Sequence, residues 1–180
     1  MLFYFSIILA YSFLGFLLEV AYAALRQHPQ RARKCFLFFP LCPVYGLSAA
    51  AVLALPEGVR AHPLLLFAAG ALLATLVEYA VALFYELGVG VRFWDYSQQP
   101  GNLRGRVCPF YTLLWGILTV AIYYGLHPTL LPLLEALPQG LLLFLFPCLA
   151  ADGLLSLWLL HRTGSVDCLV WYHPQEKPAM

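Results

Sequence analysis

Residues 2–25 read LFYFSIILAYSFLGFLLEVAYAAL, twenty-four positions that carry a single charge, Glu19. At ~1.5 Å per residue a helix of that length reaches ~36 Å, enough to cross ~30 Å of hydrocarbon. It has no continuous polar face of the kind that a helix on a soluble core must turn to water. A cleaved leader is the competing reading, since Ala21-Tyr22-Ala23 resembles a cleavage site. Against it, no Lys or Arg precedes Arg26 and Glu19 interrupts the apolar run, so this stretch reads as a retained helix.

Four further stretches of the same character lie downstream, at about 36–55, 63–88, 107–126 and 139–160. Proline and charge punctuate the joints, as at His28-Pro29, Pro56-Glu57-Gly58, Pro100-Gly101 and His127-Pro128. Over all 180 residues, 62% are hydrophobic and 11% charged, whereas a soluble domain carries roughly a quarter charged. A chain this poor in polar groups cannot cover itself in water, but a surface facing lipid needs none. The formal charge of +1 and the lack of basic runs interleaved with aromatics argue against nucleic acid. The expectation is an all-α integral membrane protein of about five transmembrane helices. A single transmembrane domain would occupy residues 1–162, with a short cytoplasmic tail at 163–180.

The basic residues orient that bundle. Arg26, Arg31, Arg33 and Lys34 fall in the first loop, Arg92, Arg104 and Arg106 in the third, and Arg162 and Lys177 in the tail. Only Arg60 lies on the opposite side, so the positive-inside bias puts the N-terminus outside and the C-terminus in the cytoplasm.

The chain also reads as internally duplicated. Leu17-Leu18-Glu19-Val20-Ala21 resembles Leu76-Val77-Glu78-Tyr79-Ala80, and Cys42-Pro43-Val44-Tyr45 resembles Cys108-Pro109-Phe110-Tyr111. Two helices per unit give both units one orientation, a parallel repeat over 1–60 and 61–126 with a fifth helix, 139–160, outside it. Chance matching in an apolar chain of low complexity is the alternative.

Glu19, Glu78 and Asp152 lie well inside the predicted spans. A carboxylate there is expensive unless protonated, paired or facing a cavity, which makes each a candidate for ion or ligand binding and equally for tying helices together. Cys42-Pro43 and Cys108-Pro109 head their helices; proline is cheap there, and the unpaired N–H groups of a first turn can receive an anion. The third loop, Arg92-Phe93-Trp94-Asp95-Tyr96-Ser97 followed by Asn102 and Arg106, mixes aromatics with polar groups beyond what interfacial anchoring needs. It reads as a lid or as a ligand contact, with Arg106 pairing to Asp95 or holding an anion. No Cys-x-x-Cys or His-x-x-x-His spacing occurs among the five cysteines and five histidines, so neither a metal nor another cofactor is expected.

Phe13-Leu14-Gly15-Phe16-Leu17-Leu18-Glu19-Val20, Cys42-Pro43-Val44-Tyr45-Gly46, Trp94-Asp95-Tyr96-Ser97, Asn102, Gly105-Arg106-Val107-Cys108 and Leu114-Trp115-Gly116 together resemble the ABC-transporter type IV (CmpB-like) family of bacterial membrane proteins. The resemblance covers most of the first four helices. It implies a multi-pass permease of the bacterial cytoplasmic (inner) membrane, and it marks Glu19, Tyr45, Gly46, Glu78, Trp94, Asp95, Asn102, Arg106 and Trp115 without giving any of them a catalytic role. The sequence has no Gly-x-x-x-x-Gly-Lys-Ser/Thr phosphate loop, so an ATPase would be a separate subunit.

Movement of a small solute or ion is the leading functional expectation. A scaffold or accessory subunit is the first alternative, and a membrane-embedded enzyme using Cys42 or Cys108 is the second. The enzyme reading lacks a histidine base near either thiol. Five helices make a thin bundle, so a homodimer is expected, with the small-residue run Ala68-Ala69-Gly70-Ala71 and Ala74 available for close helix contact.

Overall fold

The computed structural model describes residues 2–25 and 34–169, and these contain helices and no strand; one isolated bridge pairs Leu103 with Val107. The basic residues Arg26, Arg31 and Arg33, and the tail from residue 170, lie outside the described residues.

Helix α1 spans Leu2–Leu25. Helix α2, Pro43–Leu53, is followed by a single turn, α3, Glu57–Arg60. Helix α4, Pro63–Leu83, runs on through a π-helical turn, Phe84–Val89. After the third loop, α5 (Pro109–Ala121), a second π-turn (Ile122–Leu126) and α6 (His127–Glu135) form one continuous rod. Helix α7, Gln139–Thr163, ends at Gly164 and a 3-10 turn, Val166–Leu169.

Four helical rods are long and apolar enough to cross a membrane: Leu2–Leu25, Pro63–Val89, Pro109–Glu135 and Gln139–Thr163. Their outer faces are apolar; Leu64, Leu72, Leu76, Phe144 and Leu154 are each more than three-fifths exposed. Only a lipid-like surrounding removes the penalty for displaying such a surface.

The stretch expected to form the second span divides in two. Residues 34–42 are irregular, and the helix that follows has 11 residues, about 16 Å, against ~30 Å of hydrocarbon. Two prolines account for the division. Pro40 has no amide to give a helix, and Pro43 biases Cys42 to the extended conformation it adopts, with φ −119°. The Cys42 amide bonds to the carbonyl of Ser12, halfway along α1, so α2 begins beside the middle of α1. From there α2 packs back toward the start of α1, where Ile7 and Tyr11 meet Ala49, Ala50 and Leu53. The approach is close: a Cβ on Gly46 would strike the backbone carbonyl of Ile8 and the Ser12 hydroxyl.

Irregular backbone inside an apolar bundle needs partners for its polar groups. Helix α7 supplies them. Asp152 Oδ1 accepts from the amides of Leu37 (3.1 Å) and Phe38 (3.2 Å), and Oδ2 accepts from Phe38 (3.0 Å) and Phe39 (2.9 Å). The Ser156 hydroxyl accepts a second bond from Leu37 at 2.8 Å. Cys35 and Leu41 complete the segment by bonding within it. Lys34 donates to the Leu37 carbonyl at 2.6 Å; burial pushes its amine below the ordinary lysine range, and the Asp152 carboxylate pulls the other way.

Part of the small-residue run is used inside the chain, while Ala68 is exposed. Gly70 lies against Thr119 of α5, and Ala71 and Ala74 are buried, which lets α4 and α5 pack closely.

Candidate functional site

Glu19 and Glu78 fall on different helices, and the packing of α1, α2, α4 and α5 brings both to one cavity of about 320 Å³. The short helix α2 is what makes this possible. Starting halfway along α1, it points Tyr45 toward Glu19, and the Tyr45 hydroxyl donates to Glu19 Oε1 at 2.7 Å. The Tyr45 ring lies against Gly15 on one side and Trp115 on the other, with ring centroids 4.9 Å apart in the latter pair. Trp115 Nε1 donates to Glu78 Oε2 at 2.9 Å, and the Tyr96 hydroxyl donates to Glu78 Oε1 at 3.0 Å. The two carboxylates are thus linked through a phenol and an indole. Both glutamates are at least nine-tenths buried.

Two more tyrosines close this end of the cavity. Tyr111 stacks on Tyr96 with centroids 4.5 Å apart, and its hydroxyl lies 3.0 Å from that of Tyr22, joining α5 to α1. Side-chain donors surround both carboxylates, and such donors can rotate away and return.

A second cavity, about 400 Å³, continues along the gap between α1 and α5 with α2 as its floor. Leu18, Tyr45, Trp115 and Leu118 border both cavities. Its lining is apolar except for a few groups. Tyr11 and His127 bond to each other at 2.9 Å, whereas Ser48, buried, has a hydroxyl with no hydrogen-bond partner among the described residues.

The polar residues of the third loop build the loop itself. Asp95 Oδ1 accepts from the Ser97 amide at 2.8 Å. Asn102 donates to the carbonyls of Ser97 and Gln99 and accepts from the Gly105 amide. Gly105 has φ +72°, a conformation that side chains resist. Its carbonyl holds the Tyr96 amide at 2.7 Å, and Trp94 Nε1 bonds to the Arg106 carbonyl at 2.8 Å. These bonds aim Tyr96 at Glu78. Arg106 pairs with Glu86 through Nε at 2.8 Å and reaches the Tyr79 hydroxyl at 3.2 Å; Arg92 also pairs with Glu86. Asp95 is therefore not the partner of Arg106. The pair falls at the π-turn that ends α4, which locks the loop onto that helix.

Of the residues marked from sequence, Glu19, Tyr45 and Glu78 line one cavity. Asp95, Asn102 and Arg106 stand behind it and position Tyr96. Asp152 is on α7, holding residues 37–39. Cys42 and Cys108 are buried N-caps, each followed by proline in the first helical turn. No group of three His, Cys, Asp or Glu among the described residues has metal-binding geometry. Nothing in the sequence marks Tyr22 or Tyr111 as a ligand contact, and Tyr96 stands out only as part of the third loop. A phenol or indole among apolar neighbours looks like ordinary packing in sequence, and only its proximity to a carboxylate distinguishes it.

The family described as "Putative ABC-transporter type IV" matches residues 3–157, which takes in every element from α1 through most of α7. No curated protein and no solved structure matches the chain. The chain belongs to this ABC-transporter-type family.

Proposed function

We propose that this member of the ABC-transporter type IV family is a permease component that admits a small solute or ion to the cavity between Glu19 and Glu78. The observation that carries the reading is the convergence of two buried carboxylates from separate helices on one cavity, each held by a side-chain donor. Such groups can exchange phenol and indole donors for a ligand's donors or positive charge, at little cost in backbone structure. The irregular entry to α2 fits the same reading, because non-helical backbone at membrane depth accompanies cavities in transport proteins.

In this proposal the chain crosses a bacterial cytoplasmic membrane five times, N-terminus outside and C-terminus inside. The second crossing is discontinuous, residues 36–42 giving way to α2. The two-helix repeat places Glu19 and Glu78 at equivalent positions. A separate ATPase subunit and a second copy of the chain are the proposed partners.

Native mass spectrometry on protein released from its own membrane in native nanodiscs tests the reading. Expected is a retained small molecule that Glu19→Gln and Glu78→Gln both lose while the bundle stays folded. Retention unchanged in both variants, with only stability or subunit association altered, would replace the permease with an accessory subunit. A co-purifying ATPase would identify the energy source.

A further inference from the structure

We infer that the ligand class is an amphiphilic alkylammonium, its cationic head in the Glu19–Glu78 cavity and its single apolar chain in the adjoining gap between α1 and α5. This inference rests on the permease reading above and names the substrate class of that site.

The head is argued from what surrounds the carboxylates. Tyr22, Tyr45, Tyr96, Tyr111 and Trp115 all line the same cavity. Aromatic faces attract an ammonium through the ring quadrupole, most strongly where water is scarce, and they accept an alkylated nitrogen that has no N–H to donate. Glu19 and Glu78 bring two carboxyl groups into that aromatic wall, with which an entering cation can pair. A carboxylate head would find no cation among the residues lining the cavity, and a neutral head could hydrogen-bond the carboxyl groups but would gain neither charge attraction nor a cation–π contact.

The chain is argued from continuity and access. The carboxylate cavity adjoins one of about 400 Å³ across Tyr45, Trp115, Leu18 and Leu118. Leu17 and Leu18 on α1, with Leu114 and Ile117 on α5, are each two-fifths or more exposed along the rims. Those rims face outward on helices whose exposed surface is apolar throughout, so a membrane-dissolved chain can enter from the side without crossing water.

The test uses the full-length protein in uncharged maltoside micelles, with native mass spectrometry counting bound copies of lauroylcholine, dodecyltrimethylammonium, dodecanol and laurate. Expected is one copy of lauroylcholine, bound about tenfold or more tightly than dodecanol or laurate. Glu78→Gln should remove most of that preference while leaving dodecanol binding as it was. Ala49→Phe, which puts a ring into the apolar cavity, should weaken all four. Equal binding of the four heads by the wild-type protein overturns the inference, and this comparison needs no variant to fold. Lauroylcholine binding that survives both Glu78→Gln and Ala49→Phe also overturns it. If lauroylcholine fails while a native small molecule is still lost in Glu78→Gln, the ligand class is refuted and the permease reading stands.

Discussion

Replacing Asp152 tests whether this carboxylate acts chiefly by holding irregular backbone. Its two oxygens make four contacts to three amides, those of Leu37, Phe38 and Phe39. Hydrogen bonds to a charged acceptor contribute roughly 1.5–3 kcal/mol, against roughly 0.5–1.5 for neutral pairs. In Asp152→Asn the remaining oxygen can serve Phe38 and Phe39, and Leu37 still has the Ser156 hydroxyl at 2.8 Å. The loss is then the weakening of about three bonds, on the order of 2–3 kcal/mol. Asp152→Ala leaves Phe38 and Phe39 without an acceptor, at roughly 1–3 kcal/mol each, so about 2–6 kcal/mol in all. Ser156→Ala alone should cost under about 1 kcal/mol, because Asp152 still accepts from Leu37, but it should add more than that in the Asp152→Ala background. Unfolding by SDS titration in mild detergent, followed by circular dichroism, measures all four proteins. An Asp152→Asn variant within about 1 kcal/mol of the wild type would refute the reasoning, since a charged acceptor of three amides cannot be neutralised so cheaply. So would an Asp152→Ala variant that keeps its stability and loses its bound small molecule.

Gly46→Ala places a methyl against the Ile8 carbonyl, which is backbone and cannot swing aside; a loss of about 3 kcal/mol or more in the same titration is expected. Arg106→Met removes the buried partner of Glu86 and should loosen the third loop. Limited trypsin digestion at exposed Arg104 should accelerate several-fold, and Arg106→Lys should restore little, because a lysine has no Nε donor to offer Glu86. The proposed orientation predicts that an impermeant maleimide labels Gly58→Cys in intact spheroplasts and labels Gln98→Cys only after lysis. The reverse pattern would invert the bundle.

The four long rods were legible because twenty or more predominantly apolar residues leave few alternatives, and proline stands at the start of three of them; the joint read at His127-Pro128 instead lies inside the continuous Pro109–Glu135 rod. The shortness of α2 was not. Residues 36–55 are as apolar as a spanning helix, and hydropathy does not register that Pro40 and Pro43 together remove two amides and hold Cys42 extended. What replaces the missing helix is a bond from residues 37–39 to Asp152, some 115 positions away, and no local pattern predicts that pairing. The third loop was readable as a distinctive motif, but its roles were not. Asp95 and Asn102 serve turns within a few residues, and Arg106 reaches Glu86, an acid that sequence places unremarkably at a helix end.

Three carboxylates within apolar spans look alike in sequence, and the donors around them are what separate their roles. Asp152 accepts backbone amides, which cannot leave without unravelling the segment they belong to, so its contacts hold that segment in place. Glu19 and Glu78 accept from the side chains of Tyr45, Tyr96 and Trp115, which can turn about their own torsions while the helices stay in place. A carboxylate of the first kind fixes the fold; one of the second kind can change partners. The two roles are coupled, because the bonds to Asp152 set where α2 begins, and where α2 begins sets the reach of Tyr45 to Glu19. Weakening Asp152 should therefore disturb Glu19 before Glu78, whose donors come from α5 and the third loop.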